Sequence, residues 1–267
     1  MATFIGLSNW DEIGKPHSSR AISAKHIHQE VLKRTGKEHP RVLYIPTAKE
    51  DREDYIDFFR KYYLGLGSSE VDVLRLLKDP PSKKEITDKI FSADAIYVNG
   101  GNTHRMLSTW KRLGVYTLLQ QAHRQGIVMA GHSAGTVCWF KYVCSDSFYK
   151  KQPFKLTGMG VINAVVCPHY DSETVRQPAL KKIMKRTPHL VAIALDDDAV
   201  IEIVNDTYRI LTTVPTAKAR RMFWKDGEYV IEEIQQTTAF KDLKALLIKP
   251  NKLSSGKKSV RSKTKKS

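Results

Sequence analysis

Residues 127 to 136 read Ile127-Val128-Met129-Ala130-Gly131-His132-Ser133-Ala134-Gly135-Thr136. The apolar start predicts a buried strand, and Gly131-His132-Ser133-Ala134-Gly135 at its end is a G-x-S-x-G pattern. Such a turn lifts a serine out of a sheet on a sharp bend between strand and helix. Glycines suit the flanking positions because side chains there would meet the neighbouring strand and helix. The pattern predicts a helix over 134–142, with its N-terminus directed at Ser133 and free N–H groups able to stabilise an oxyanion. A tight turn with an incidental serine is the plain alternative for these five residues alone.

Strands and helices alternate around this stretch. Arg41 to Thr47 reads as a buried strand stopped by Pro46, and residues 51–63 space Tyr55, Phe58, Phe59 and Tyr62 as a helix does. Residues 71–76 predict a strand, and residues 82–91 a helix opened by a capping box of Ser82 and Glu85. Ala95-Ile96-Tyr97-Val98 predicts a strand ending in Asn99-Gly100-Gly101-Asn102-Thr103, followed by helices over 104–125 broken near Gly114. Residues 191–195 form a further strand running into Asp196-Asp197-Asp198. Hairpins are expected around Asn205-Asp206 and at Lys225-Asp226-Gly227. Continuous apolar strands between helices imply an α/β fold: a mostly parallel sheet covered by helices on both faces, with antiparallel hairpins toward the C-terminus. In such sheets ligands bind at the C-terminal strand ends. Residues 46–48, 99–103, 132–134 and 196–198 are therefore expected along one edge.

Of the 267 residues, 44 are basic and 28 acidic, a net charge of +16. Eight of the basic residues lie from Lys249 onward with no acidic residue among them, so the rest of the chain carries 36 against 28. That division predicts one domain over 1–248 and a disordered basic tail over 249–267, too poor in apolar groups to order itself. The tail is either a solvated solubilising segment or a weak contact for a polyanion such as nucleic acid. No aromatic residue interleaves its charges, so base stacking is not supported. No apolar run is long enough to span a membrane, and no signal peptide is recognised at the N-terminus. The three cysteines, Cys138, Cys144 and Cys167, fit a reducing cytoplasm. A zinc site on Cys167 and His169 lacks the second clustered pair such sites need, so no metal is expected.

A serine hydroxyl needs a base. Of nine histidines, His169 stands out. It follows the apolar run Val165-Val166-Cys167, and Pro168 stiffens its loop. His132 is expected to point away from the reacting side of the turn, and His189 lies at the wrong end of its strand. His17, His26, His28 and His39 lie in polar surroundings, while His104 and His123 fall in predicted helices. An orienting carboxylate is expected from Asp197, with Asp146 and Asp171 as competitors. The N–H groups of Gly100, Gly101 and Ala134 are candidates for an oxyanion hole.

Five segments in succession, Asn99-Gly100-Gly101-Asn102-Thr103, Ala130 to Gly135, Gly158-Met159-Gly160-Val161-Ile162, Cys167-Pro168-His169-Tyr170-Asp171 and Leu195 to Ala199, resemble the motifs of the peptidase S51 family. That family contains aspartyl dipeptidase (peptidase E) and cyanophycinase and has a class I glutamine-amidotransferase-like fold. The resemblance covers about residues 41–204 and leaves the first 40 outside. It implies a serine nucleophile at Ser133, a histidine base at His169 and a third member at Asp197. The family usually has glutamate at that third position, so aspartate is a departure by one methylene. Asn102 and Thr103 are expected to touch substrate. The aspartyl dipeptidase branch reads an acidic N-terminal residue with basic side chains near the active edge. Arg176 is the candidate here, and a surface arginine on a basic protein is its alternative reading.

The expectation is a cytoplasmic serine peptidase acting on short peptides, with N-terminal aspartate as a candidate preference and no cofactor. One alternative is a cyanophycin-type or other small-molecule serine hydrolase. Another is a non-catalytic polyanion-binding protein that retains the fold. The order Ser133, His169, Asp197 differs from the Ser, Asp, His order of α/β-hydrolases, although Asp146 would restore it. Monomer and dimer are equally open.

Overall fold

The strands divide between two sheets. The computed structural model describes residues 1–10, 19–148 and 152–250, with the side chains of 19–23 excepted. In chain order the first part runs β1 (Thr3–Leu7), α1 (Ser19–Lys33), β2 (Arg41–Ile45), α2 (Glu53–Gly65), β3 (Glu70–Val73), α3 (Lys83–Ser92) and β4 (Ala95–Val98). It continues α4 (Thr103–Leu113), α5 (Val115–Arg124), β5 (Val128–His132), α6 (Ala134–Val137), β6 (Phe140–Ser145), β7 (Phe154–Thr157) and β8 (Ile162–Cys167). The rest is α7 (Arg176–Arg186), β9 (Ala192–Leu195), β10 (Ala199–Val204), β11 (Thr207–Thr212), β12 (Ala219–Lys225), β13 (Glu228–Ile234), β14 (Lys241–Asp242) and α8 (Leu243–Leu247).

The larger sheet has the order β14-β11-β10-β1-β5-β4-β2-β3, and the smaller β13-β12-β9-β8-β6-β7. β1, β5, β4, β2 and β3 are mutually parallel, and β10 joins β1 antiparallel. In the smaller sheet β6, β8 and β9 are parallel, with antiparallel β7 and β12 on either side. The α/β class stands, with mixed sheets. Both predicted hairpins form, β10–β11 and β12–β13.

Strand alternation explains the layers. Val42, Tyr44, Ala95, Tyr97, Val128 and Ala130 pack with Ile27 and Val31 of α1 and Ile56, Phe59 and Tyr63 of α2. Their neighbours Leu43, Ile45, Ile96, Val98 and Met129 face the opposite way, into a core shared with α3–α5 and with Val166, Ile193 and Leu195 of the smaller sheet. The far face of that sheet, through Val165, Cys167, Ala192 and Ala194, is covered by Leu180, Ile183 and Met184 of α7. The strands are apolar on both sides because both sides are buried.

Ser82 caps α3 as expected, accepting from Glu85 N at 3.3 Å while Glu85 accepts from Ser82 N at 2.8 Å. The helix predicted over 134–142 is a correction. α6 ends at Val137 and the chain turns into β6 at Phe140. Cys144 and Val143 are then buried on opposite faces of a sheet, a period of two that the preceding turn had masked. β1 and α1 lie in the segment left outside the resemblance. β1 nonetheless sits between β5 and β10, near the middle of the larger sheet. The tail expected to be disordered lies, from residue 251 on, outside the described residues. Among the described residues no helix is long and apolar enough to cross a membrane, and all three cysteines are buried free thiols.

Candidate active site

Ser133 stands between β5 and α6 with φ 47° and ψ −112°, a backbone conformation few non-glycine residues adopt. Its N–H donates to Leu7 O at 3.0 Å, and the Thr136 hydroxyl lies 2.6 Å from the same carbonyl, so β1 holds the bend from one side. β4 holds it from the other, because a Cβ on Gly135 would run into the carbonyl of Val98. These contacts hold the strained bend from both sides.

The Ser133 hydroxyl lies 2.9 Å from His169 Nε2. His169 Nδ1 lies 2.6 Å from Asp197 Oδ1. Aspartate can only accept when ionised, so the ring proton sits on Nδ1 and the Nε2 lone pair faces Ser133. The His169 and Asp197 side chains are 12% and 9% exposed, which limits solvent screening of their pairing. Ser133 comes from the larger sheet and His169 from the end of β8 in the smaller one. Asp197 lies where the chain crosses from β9 to β10. The site is thus built at the seam between the two sheets.

Residues near the end of β1 clamp that seam. The fully buried Ser8 hydroxyl accepts from His169 N at 3.0 Å and donates to Leu195 O at 3.2 Å. Asn9 N donates to Asp197 O at 3.0 Å, and Asp197 N donates to Asp171 Oδ1 at 2.9 Å. His169 itself has φ 53°, so its loop needs such ties to hold a left-handed residue. Sequence reading missed Ser8. Its signal is a hydroxyl directly after Thr3-Phe4-Ile5-Gly6-Leu7, but Thr3 and Gly6 leave that segment without a clear apolar pattern.

The three consecutive aspartates divide their labour. Asp196 accepts from Arg220 Nη1 at 2.6 Å, Asp197 faces His169, and Asp198 accepts from the Thr213 hydroxyl at 2.7 Å. Asp146, a competitor for the orienting role, instead pairs with Arg176 at 3.1 Å. Asp171 holds the Asp197 backbone.

The residues expected to touch substrate or oxyanion are placed within the protein's own contacts as follows. Arg176 is only 3% exposed and donates to Glu173 at 2.7 Å and to Cys144 O at 2.7 Å. Burial opposes its charge, but Asp146 and Glu173 outweigh burial and hold the guanidinium above its ordinary pKa. It is a buried strut, not a free fork. Asn102 caps α4, accepting from Arg105 N at 2.9 Å, and its Nδ2 donates to Ser147 O at 3.1 Å. Thr103 is buried in the first turn of α4. Gly100 N donates to Asn99 Oδ1 at 2.9 Å and to His132 Nε2 at 3.0 Å, so it is spent before any oxyanion arrives. Among the described residues no acceptor faces the N–H groups of Gly101 or Ala134. Gly101 has φ 134°, and a Cβ there would strike the carbonyl of Ala48. His28, expected in polar surroundings, is fully buried among aromatic rings.

The arrangement is a hydroxyl, an imidazole and a carboxylate in line, beside two unengaged backbone donors. Comparison with known proteins places the chain among peptidases at the level of family. The model of peptidase family S51 matches residues 13–211, a wider span than the motifs alone suggested. The chain is 33% identical over 201 residues to the uncharacterized peptidase YgaJ of Bacillus subtilis (strain 168), covering 75% of this chain and 85% of that protein. It is 31% identical over 175 residues to an uncharacterized peptidase of Pasteurella multocida (strain Pm70), covering 62% and 82%. The crystal structure of a peptidase from an acI-B1 Actinobacterium superposes with a TM-score of 0.70 at 17% identity, covering 91% of this chain and 97% of that one, a likeness of fold. The chain belongs to peptidase family S51.

Proposed function

We propose that this protein is a serine peptidase that hydrolyses short peptides. The observation that carries the reading is the unbroken line from Ser133 Oγ to His169 Nε2 at 2.9 Å and from His169 Nδ1 to Asp197 Oδ1 at 2.6 Å. Ser133 attacks the scissile carbonyl while His169 Nε2 takes its proton. Asp197 keeps the Nδ1–H tautomer and stabilises the imidazolium that forms. The N–H groups of Gly101 and Ala134 receive the oxyanion. His169 then gives its proton to the leaving amine, and water, activated by the same imidazole, releases the acyl group from Ser133. No step calls on a metal or organic cofactor.

The departure from glutamate is compatible with this scheme. Ser8, Asn9 and Asp171 hold the backbone around Asp197 close enough for the shorter carboxylate to reach the ring. Preference for N-terminal aspartate loses its candidate residue, since Arg176 is buried and paired, so the proposal stops at short peptides. The buried free thiols support a reducing, cytoplasmic setting.

The experiment is labelling with a fluorophosphonate probe and turnover of a dipeptide panel, for wild type and Ser133→Ala. Labelling and turnover should both vanish in the variant. Retained turnover in purified, folded Ser133→Ala protein would sink the reading. Turnover of p-nitrophenyl esters without any peptide would favour a small-molecule hydrolase.

A further inference from the structure

One buried imidazole ties the end of β4 to the end of β5. His132, immediately before Ser133, is 2% exposed. Its Nε2 lies 3.0 Å from Gly100 N and its Nδ1 lies 3.1 Å from the Tyr97 hydroxyl. A backbone N–H can only donate, so Nε2 carries a lone pair and the ring proton sits on Nδ1, directed at Tyr97 Oη. The ring has little freedom to turn. Trp10 stands edge-on at 5.7 Å and Tyr97 lies 5.9 Å away. Trp10 in turn packs 4.0 Å from the His28 ring, whose Nδ1 lies 2.8 Å from the Tyr63 hydroxyl. Gly100 fits closely against this ring, since a Cβ there would stand 2.7 Å from the imidazole and 3.1 Å from Ser133 Cβ.

The consequence falls on Gly101. Its peptide lies between two pinned groups: Gly100 N, held by His132, and Asn102 N, which donates to Ala48 O at 2.8 Å. An oxyanion donor is useful only within a few tenths of an ångström of its working position. We infer that His132 is a positioning residue, a neutral Nδ1-protonated imidazole whose Nε2 holds the 99–101 loop against the Ser133 elbow and so aims the Gly101 N–H. The nucleophile and the oxyanion donor then share one reference point, because His132 is bonded covalently to Ser133 and through hydrogen to Gly100. This inference rests on the serine-peptidase reading above.

The test compares His132→Phe, which keeps an aromatic ring but has no acceptor, with His132→Gln, whose Oε1 can take the place of Nε2. Steady-state kcat and KM on a dipeptide, the fluorophosphonate labelling rate and thermal unfolding are measured on the full chain. His132→Phe should lower kcat and the labelling rate about a hundredfold, the scale of a misplaced reacting geometry, with KM nearly unchanged. His132→Gln should recover most of that loss. A folded His132→Phe protein with wild-type kcat, or folded Phe and Gln variants with equal losses, overturns the inference. The wild-type protein provides a test that does not depend on variants folding or on the role of Ser133. Its ¹⁵N spectrum should show His132 Nε2 unprotonated and Nδ1 bearing hydrogen, and a protonated Nε2 overturns the inference. Loss of labelling at Ser133 itself concerns the serine-peptidase reading and is scored separately.

Discussion

Arg176 Nη2 stands 3.1 Å from Asp146 Oδ1, and this ion pair withdraws both residues from the reacting atoms. One had been a candidate for reading an acidic substrate, the other for completing the triad. Arg176 also donates to Cys144 O, so it staples the start of α7 to the end of β6. An arginine this buried cannot turn outward without leaving that carbonyl unsatisfied.

Arg176→Ala should therefore act on stability and not on specificity. Loss of its hydrogen bonds and packing should cost about 2–3 kcal/mol, visible as a lower midpoint in denaturant. The ratio of kcat/KM for Asp-Leu to that for Ala-Leu should stay at its wild-type value. A selective loss on Asp-Leu would return Arg176 to the substrate.

Asp197→Asn should lower kcat by roughly a thousandfold or more, because an amide can no longer enforce the Nδ1–H tautomer of His169. Asp146→Asn leaves the imidazole pairing intact and should keep kcat within a few-fold of wild type. Steady-state kinetics on one dipeptide ranks the two, and the reverse order would move the orienting role.

Ser8→Ala removes the hydroxyl that accepts from His169 N and donates to Leu195 O. A buried N–H left without a partner costs about 1–3 kcal/mol. The His169 loop, with its left-handed residue, loses a tie to β1, so kcat should fall about tenfold with KM little changed. Unchanged kcat in a destabilised Ser8→Ala protein would make Ser8 purely structural.

The buried His28 gives stability a pH dependence. Burial lowers its pKa well below 6.5. Below about pH 6.5 the unfolded chain takes up a proton that the folded chain refuses, so stability falls as pH falls through that value. Above it His28 is neutral in both states and the dependence ends. Denaturant midpoints between pH 5 and pH 7.5 should show this slope, and His28→Phe should make it shallower, leaving the share of His123, whose pKa burial also lowers.

Deleting residues 251–267 should leave the kinetic constants on a dipeptide unchanged. Any binding of the full chain to nucleic acid should weaken steeply with added salt and fall on deletion. Loss of dipeptide turnover would place part of this segment in the fold.

The elbow was legible from sequence because its constraint is local. A strand, a strained serine and two small flanking residues occupy consecutive positions, and each strand-end motif sits beside a run whose apolar pattern shows it is buried. His169 and Asp197 were likewise legible as residues at strand ends. The sequence did not show that the strand before Ser133 belongs to one sheet and the strands before His169 and Asp197 to another, nor that Ser8, just past the end of β1, bridges them. Such pairings depend on contacts more than 150 positions apart, as between Ser8 and His169. The roles of the polar candidates needed the tertiary structure for a related reason. Arg176, Asn102 and the Gly100 N–H each have the right chemistry for a substrate, but a donor serves whatever acceptor folding places nearest. Only burial and distance reveal that those acceptors are already part of the protein: Asp146 and Cys144 O, Ser147 O, and His132 Nε2.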